Sequence, residues 1–271
     1  TPTLSPIPTP TKITNSPTLS EIIEKSLTGT KGSYGIAIEN LNTNEAFFKN
    51  EDMVFESASL YKLWVMAVVY RKIEDGSLKL NQILSEDVKI LNEKFRIDEK
   101  LAEQKTGKIT LSVNDALNLM ITKSDNYSGL LLASKIRLST IATFLKEYGF
   151  NSSKVGTDGS VPVTSAFDIA LFYKYLNDGK LANSENTNAM IALLKKQVLN
   201  EKIPKQLPIN AVVAHKTGEL DLYSHDGGIV FAPKATYIIV ILSKSEAPDL
   251  ANDRIANLSK DIYEYFDQGR E

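Results

Sequence analysis

The sequence predicts an α/β (α+β) fold: a mostly antiparallel sheet flanked by N- and C-terminal helices, with an all-helical subdomain inserted between its second and third strands. Three observations predict it. Two alternating apolar runs flank a turn early in the chain, helical periodicity fills the middle, and three β-rich runs return before a last helix.

The elements follow in order. Residues 1–18 are rich in Pro, Thr and Ser and carry too few apolar side chains to build a core. They read as a disordered linker, a tether from the cell surface or from a secretion signal to a single domain over 19–271. Folding is expected to begin with the short amphipathic helix "EIIEKSL", N-capped by Ser20. "SYGIAIENLNTNEAFFKN" alternates on either side of "NTNE" and reads as a β-hairpin. From Ser59 to about Leu207 the period is helical, with "SVNDALNLMITKSDNYSGLLLASKI" broken by a turn at "KSDN". "LSTIATFLKEYGF", "SAFDIALFYKYLNDG" and "SENTNAMIALLKKQV" supply further helices. "AVVAHKTG", "GGIVFAP" and "ATYIIVILSK" are the returning strands, and "DLANDRIANLSKDIYEYF" the closing helix. The sheet part is thus 19–58 with 208–271, and the helical part 59–207, with a cleft expected where they meet.

Composition narrows the function. The 271 residues carry 31 Lys and Arg against 33 Asp and Glu, a net charge of −2 that gives no basic surface for nucleic acid or anionic lipid. With no cysteine there is no disulfide, no thiolate nucleophile and no Cys-ligated metal. The two histidines, His215 and His225, are too few for a His-rich metal site. No apolar run reaches the roughly 18 residues of a spanning helix. A monomer with a small-molecule substrate is the expected form.

One residue breaks the apolar pattern. Lys62 interrupts "ESASLYKLWVMAVVY", three positions after Ser59. On a helix these two share a face. A lysine desolvated by Leu60, Leu63, Trp64 and Met66 has a lowered pKa and serves as a neutral base for the serine. The alternative is a helix-capping serine beside a lysine that snorkels to water. Two further clusters bear on the choice: Ser124-Asp125-Asn126 at a helix-to-helix turn and Lys216-Thr217-Gly218 at the end of a strand.

Taken together, Ser59-x-x-Lys62, Ser124-Asp125-Asn126 and Lys216-Thr217-Gly218 resemble the motif set of the class A serine β-lactamases and related penicillin-binding proteins, over roughly residues 20–267. The resemblance implies a role for each residue. Ser59 is the acylated nucleophile and Lys62 its base or proton relay. Ser124 passes a proton to the departing nitrogen, and Asn126 binds the substrate's side-chain amide. Lys216 and Thr217, beside Gly218, hold the substrate carboxylate. The backbone N–H groups of Ser59 and Glu219 form the oxyanion hole.

Two departures qualify that picture. The family's deacylating glutamate lies on a long Ω-shaped loop; here the connection "YGFNSSKVGTDGSVPVTSAFD" is shorter and holds Asp158 as its one carboxylate before the helix. Asp158 is either a turn residue before Gly159 or a substitute base. Glu219 and Asp221 also set negative charge beside the carboxylate-binding strand. His225-Asp226 is read as a structural pair in the site wall, because strand neighbours face opposite ways and no Gly-x-Ser-x-Gly elbow is present. The functions in competition are an extracytoplasmic β-lactam hydrolase with weak turnover, a D-Ala-D-Ala peptidase acting on peptidoglycan stem peptides, and a silent penicillin-binding sensor. None of them needs a metal or an organic cofactor, so neither is expected.

Overall fold

The computed structural model describes residues 17–268; residues 1–16 of the expected 1–18 linker lie outside them, and residues 17 and 18 belong to a helix instead. Helix α1 (Pro17–Leu27) leads into the hairpin β1 (Ser33–Asn40) and β2 (Ala46–Lys49). A two-residue strand β3 (Phe55–Glu56) and a 3-10 turn (Ala58–Leu60) then feed helix α2 (Tyr61–Glu74). The helical stretch continues through β4 (Ile83–Asp87), α3 (Val88–Lys94), β5 (Lys108–Ser112), α4 (Val113–Thr122), α5 (Asn126–Ile136), α6 (Leu138–Glu147), β6 (Val163–Thr164), α7 (Ala166–Asn177) and α8 (Ser184–Leu194). Strands β7 (Val212–Leu220), β8 (Tyr223–Phe231) and β9 (Thr236–Lys244) precede α9 (Pro248–Gln268).

The main sheet has the order β2-β1-β9-β8-β7 and is antiparallel throughout. Its central strands are buried along nearly their whole length, so both faces need cover. Successive residues of β9 show how that is met. Tyr237, Ile239 and Ile241 pack with Leu19 and Ile23 of α1 and with Ile255, Leu258 and Ile262 of α9. Ile238, Val240 and Leu242 face the other way, into the core shared with α2, α4, α5 and α7. That second core also holds α2, which bears Lys62 and follows directly on the turn that bears Ser59.

The structure corrects several expectations. Helix α1 begins at Pro17, so Ser20 lies inside it; proline suits a first turn whose N–H groups have no partner anyway. The helical part also contains a small sheet, β4-β5, and a second, β3-β6, joins it to the segment before Ser59. Two-residue strands give no period to read, and β4 ("ILSED") exposes Ile83, so its alternation does not point to a core. Strand β8 starts at Tyr223 rather than Gly227, because polar Ser224, His225 and Asp226 are all buried.

The connection from α6 to α7 is tied at its base. Lys154 N donates to Val163 O at 2.9 Å and Val163 N to Lys154 O at 3.0 Å. Val163 and Thr164 pair in turn with Glu56 and Phe55, just before the Ser59 turn. Further along, Ser165 caps α7 by accepting from Asp168 N. Asp168 is 3% exposed, and its Oδ2 accepts from Ser152 N at 2.9 Å and Ser153 Oγ at 2.7 Å. Burial outweighs these bonds and pushes its pKa up to about 6. Folding therefore favours the protonated acid, and stability from this group is lost as pH rises between about 4 and about 6. Asp168→Asn should gain on the wild type across that interval, by at most about 3 kcal/mol, and no further above it. Denaturant unfolding at pH 4, 6 and 8 measures the difference; a pH-independent offset would refute it.

Candidate active site

Ser59 sits in the middle of the 3-10 turn, directly before α2. Ala58, its neighbour, has φ +45°, the left-handed region that costs an L-residue energy unless the surroundings impose it. The surroundings here include β7. A Cβ at Gly218 would lie 3.1 Å from Ser57 O and 3.3 Å from both Ala58 Cβ and Leu60 Cγ. Glycine lets the strand press onto the serine turn.

Lys62, one turn later, is fully buried. Its Nζ is 3.1 Å from Ser59 Oγ, 2.7 Å from Asn126 Oδ1 and 3.3 Å from Ser124 Oγ, and it also donates to Ser124 O. The burial that snorkelling would avoid lowers its pKa to about 8, against the opposing pull of Asp125 and Glu103. The neutral amine therefore exists near physiological pH. It has two N–H donors and one lone pair. Two of its neighbours, Ser124 O and Asn126 Oδ1, can only accept. They take the two N–H bonds, and the lone pair is left for the Ser59 hydroxyl.

The Ser-Asp-Asn turn divides its labour. Ser124 has φ +58° and presents both its carbonyl and its hydroxyl to Lys62. Asp125 caps α5, accepting from Ser128 N at 2.7 Å. Asn126 opens α5, and its Nδ2 donates to Glu103 Oε1 at 2.5 Å, which fixes Oδ1 toward Lys62. From β7, Lys216 Nζ donates to Ser124 Oγ at 2.9 Å and to Thr217 O at 2.8 Å. Ser124 Oγ thus lies within hydrogen-bond reach of two lysine nitrogens. Burial, then repulsion from Lys62, holds Lys216 well below the ordinary lysine range.

Ser59, Lys62, Ser124, Asn126 and Lys216 are therefore drawn into one cluster, with Thr217 and Gly218 on the strand beside it. Asp158 is not in it. It lies at the exposed tip of the 154–163 loop, where its Oδ1 accepts from Ser160 N at 3.0 Å and Ser160 Oγ at 2.7 Å. Those bonds lower its pKa. The Glu219 side chain meets Lys202, and Asp221 occupies the β7–β8 turn with φ +45°.

The expected His225-Asp226 pair is corrected. Asp226 pairs with His215, whose Nδ1 is 2.9 Å from Asp226 Oδ1. His225 faces the other side of β8. It donates from Nε2 to Glu56 O at 2.8 Å and accepts at Nδ1 from Ser243 N at 3.1 Å, and burial lowers its pKa to about 4. A neutral histidine thus joins β8 to the strand before Ser59. Glu103 and Lys202 are the site residues that sequence reasoning missed: both lie in irregular segments with no period or motif to mark them. Among the described residues no group of three or more His, Cys, Asp or Glu side chains could hold a metal.

Comparison with known proteins gives consistent results. The family model described as "Beta-lactamase enzyme family" matches residues 18–266. Beta-lactamase VEB-1 of Pseudomonas aeruginosa is 22% identical over 267 residues, covering 90% of this chain and 89% of that protein. The extended-spectrum beta-lactamase PER-1 of the same organism is 23% identical, covering 92% and 88%. Among solved structures, PBP-A superposes with a TM-score of 0.81 at 19% identity, covering 93% of this chain and 96% of that one. A beta-lactamase from Sphaerobacter thermophilus superposes with a TM-score of 0.78 at 21% identity, covering 93% and 98%.

The contact between Gly218 and the Ser59 turn yields a test. Gly218→Val adds atoms where a Cβ alone is already crowded by backbone, an overpacking that costs on the order of 1–3 kcal/mol. Thermal denaturation should show a melting temperature lower by about 2–10 °C. An unchanged melting temperature would mean that the strand is not pressed against this turn.

Proposed function

The chain belongs to the beta-lactamase enzyme family, and from that premise we propose that it is a serine hydrolase acylated by β-lactams on Ser59. The observation that carries the proposal is the position of the Lys62 nitrogen, 3.1 Å from Ser59 Oγ, with Ser124 O and Asn126 Oδ1 placed to accept N–H bonds from it, so that its neutral form has a lone pair for the Ser59 proton. Lys62 takes the proton as Ser59 Oγ attacks the lactam carbonyl. The oxyanion forms against the N–H groups of Ser59 and Glu219. As the C–N bond breaks, Ser124 gives its proton to the nitrogen and regains one from Lys62, 3.3 Å away, or from Lys216, 2.9 Å away. Lys216 and Thr217 receive the substrate's carboxylate, and Asn126 its side-chain amide.

Acylation and deacylation make different demands. The second step needs a water and a group to deprotonate it, worth about 10²–10⁴ in rate. The one carboxylate of the α6–α7 connection before its helix, Asp158, is exposed and engaged by Ser160. We assign it to the turn and expect weak turnover, with acyl-enzyme accumulating. A mutant of the neighbour PBP-A has been solved as its acyl-enzyme complex with penicillin G, and an acyl-enzyme is the state expected here. The same features support a second reading, a penicillin-binding peptidase acting on D-Ala-D-Ala stem peptides in an extracytoplasmic setting.

Incubation with a penicillin should add the mass of one molecule to the intact protein, and Ser59→Ala should abolish the adduct. Lys62→Met should slow acylation at least 10²-fold, and the wild-type rate should rise with pH toward a plateau above about 8 as Lys62 becomes neutral. An adduct that survives Ser59→Ala would end the proposal. A burst of chromogenic cephalosporin hydrolysis followed by a slow phase is expected, and Asp158→Asn should alter the slow phase less than about twofold, against the 10²-fold or more lost with a positioned base. Fast, burst-free turnover would place an active base elsewhere in the site.

A further inference from the structure

Lys202 takes no part in the steps above, yet it is among the most enclosed cations of the chain. It lies between α8 and β7 with 1% of its side chain exposed, and the carboxylate it meets belongs to Glu219, whose side chain is 62% exposed. An ammonium shut off from water needs a counter-charge. Here that charge is supplied from the rim, by a largely exposed side chain. Glu219 is two residues beyond Thr217 on β7, and residues two apart on a strand share a face. Lys202 also lies close enough to Lys216 to disfavour its protonation. The cation is therefore adjacent to the residues assigned to the substrate's carboxylate, and a carboxylate of the protein's own already covers it.

We propose that the Glu219 side chain is an internal occupant of the anion subsite, covering Lys202 in the resting protein and leaving it when the carboxylate of an anionic substrate arrives. This rests on the β-lactam reading given above. The backbone N–H of Glu219 stays in the oxyanion hole while its side chain moves, so one residue serves the reaction with its amide and filters substrates with its carboxylate. Anionic substrates must displace it; substrates with a neutral group at that position need not. Glu219 thus sets the preference between the two, to the disadvantage of the anion.

The test compares benzylpenicillin with its methyl ester, which lacks the negative charge. The reported quantity is the ratio of their acylation rates on Ser59, followed by intact-protein mass spectrometry, with thermal melts to verify that each variant is folded. Glu219→Gln should raise the penicillin-to-ester ratio by at least about fivefold, a modest effect for a displaced charge pair. In a Lys202→Gln background the same change should move the ratio less than about twofold. A smaller rise in the single variant, or an equal rise without Lys202, overturns the inference. The wild-type penicillin adduct gives a readout that needs no variant: its crystal structure should have the Glu219 carboxylate off Lys202, and a retained Lys202–Glu219 pair overturns the inference too. Failure of the wild type to form any adduct would sink the functional reading as well, whereas an adduct with an unaltered ratio sinks this inference alone.

Discussion

The constraint on which the site depends is the burial of the Lys62 amine. An ammonium at that position loses its water and has to be met by oxygens from elsewhere in the chain. Ser59 supplies one from the turn just before the helix, and Ser124 and Asn126 supply the rest from across 62 and 64 residues. Those oxygens arrive only if α4 and α5 meet at a left-handed Ser124 and if Asp125 caps the second helix. Gly129, on the next turn of α5, leaves the room: a Cβ there would stand 3.3 Å from Lys62 Cε. Much of the helical part can thus be understood as scaffolding that encloses one nitrogen.

The sheet contributes the complementary half. Its antiparallel register brings Lys216 to the hydroxyl that Lys62 also contacts, and Gly218 lets the strand close on the serine turn. Behind the strand, Asp226 is held by His215 and by the backbone N–H of Ile203, which anchors the segment bearing Lys202. Its negative charge raises the proton affinity of Lys216, against burial and the repulsion of Lys62 and Lys202. Three lysines are thereby kept close together by carboxylates distributed around them, rather than by exposure to water. Such an arrangement favours a bound anion, since each cation remains only partly compensated.

Much of this was legible in the sequence. Lys62 stood out because an apolar helical run has no use for it, and the three short motifs fell on the elements that hold them in space. The order of sheet and insertion followed from where the β-rich runs begin and end. Other contacts depended on tertiary geometry that no local pattern encodes. His225 and Asp226 are adjacent in the chain but face opposite sides of β8; which histidine meets Asp226 is decided by the β7–β8 register, with Thr217 opposite Asp226 and His215 diagonal to it. Glu103 reaches Asn126 from an irregular segment 23 residues earlier, where nothing in the local pattern suggests a partner. The two-residue strands β3 and β6 exist only because they find each other.

The tied base of the 154–163 loop has an evolutionary consequence. The rungs at Lys154–Val163 and at Val163–Glu56 isolate the tip from the strand that precedes Ser59. Lengthening a loop beyond a fixed base costs little, about 0.6 kcal/mol for each doubling. The tip is therefore an exchangeable cassette: insertions there can be sampled by drift without loosening Lys62 or the serine turn. A lineage starting from this architecture can vary the length and composition of this loop while inheriting, unaltered, the lysine and serine cluster behind it.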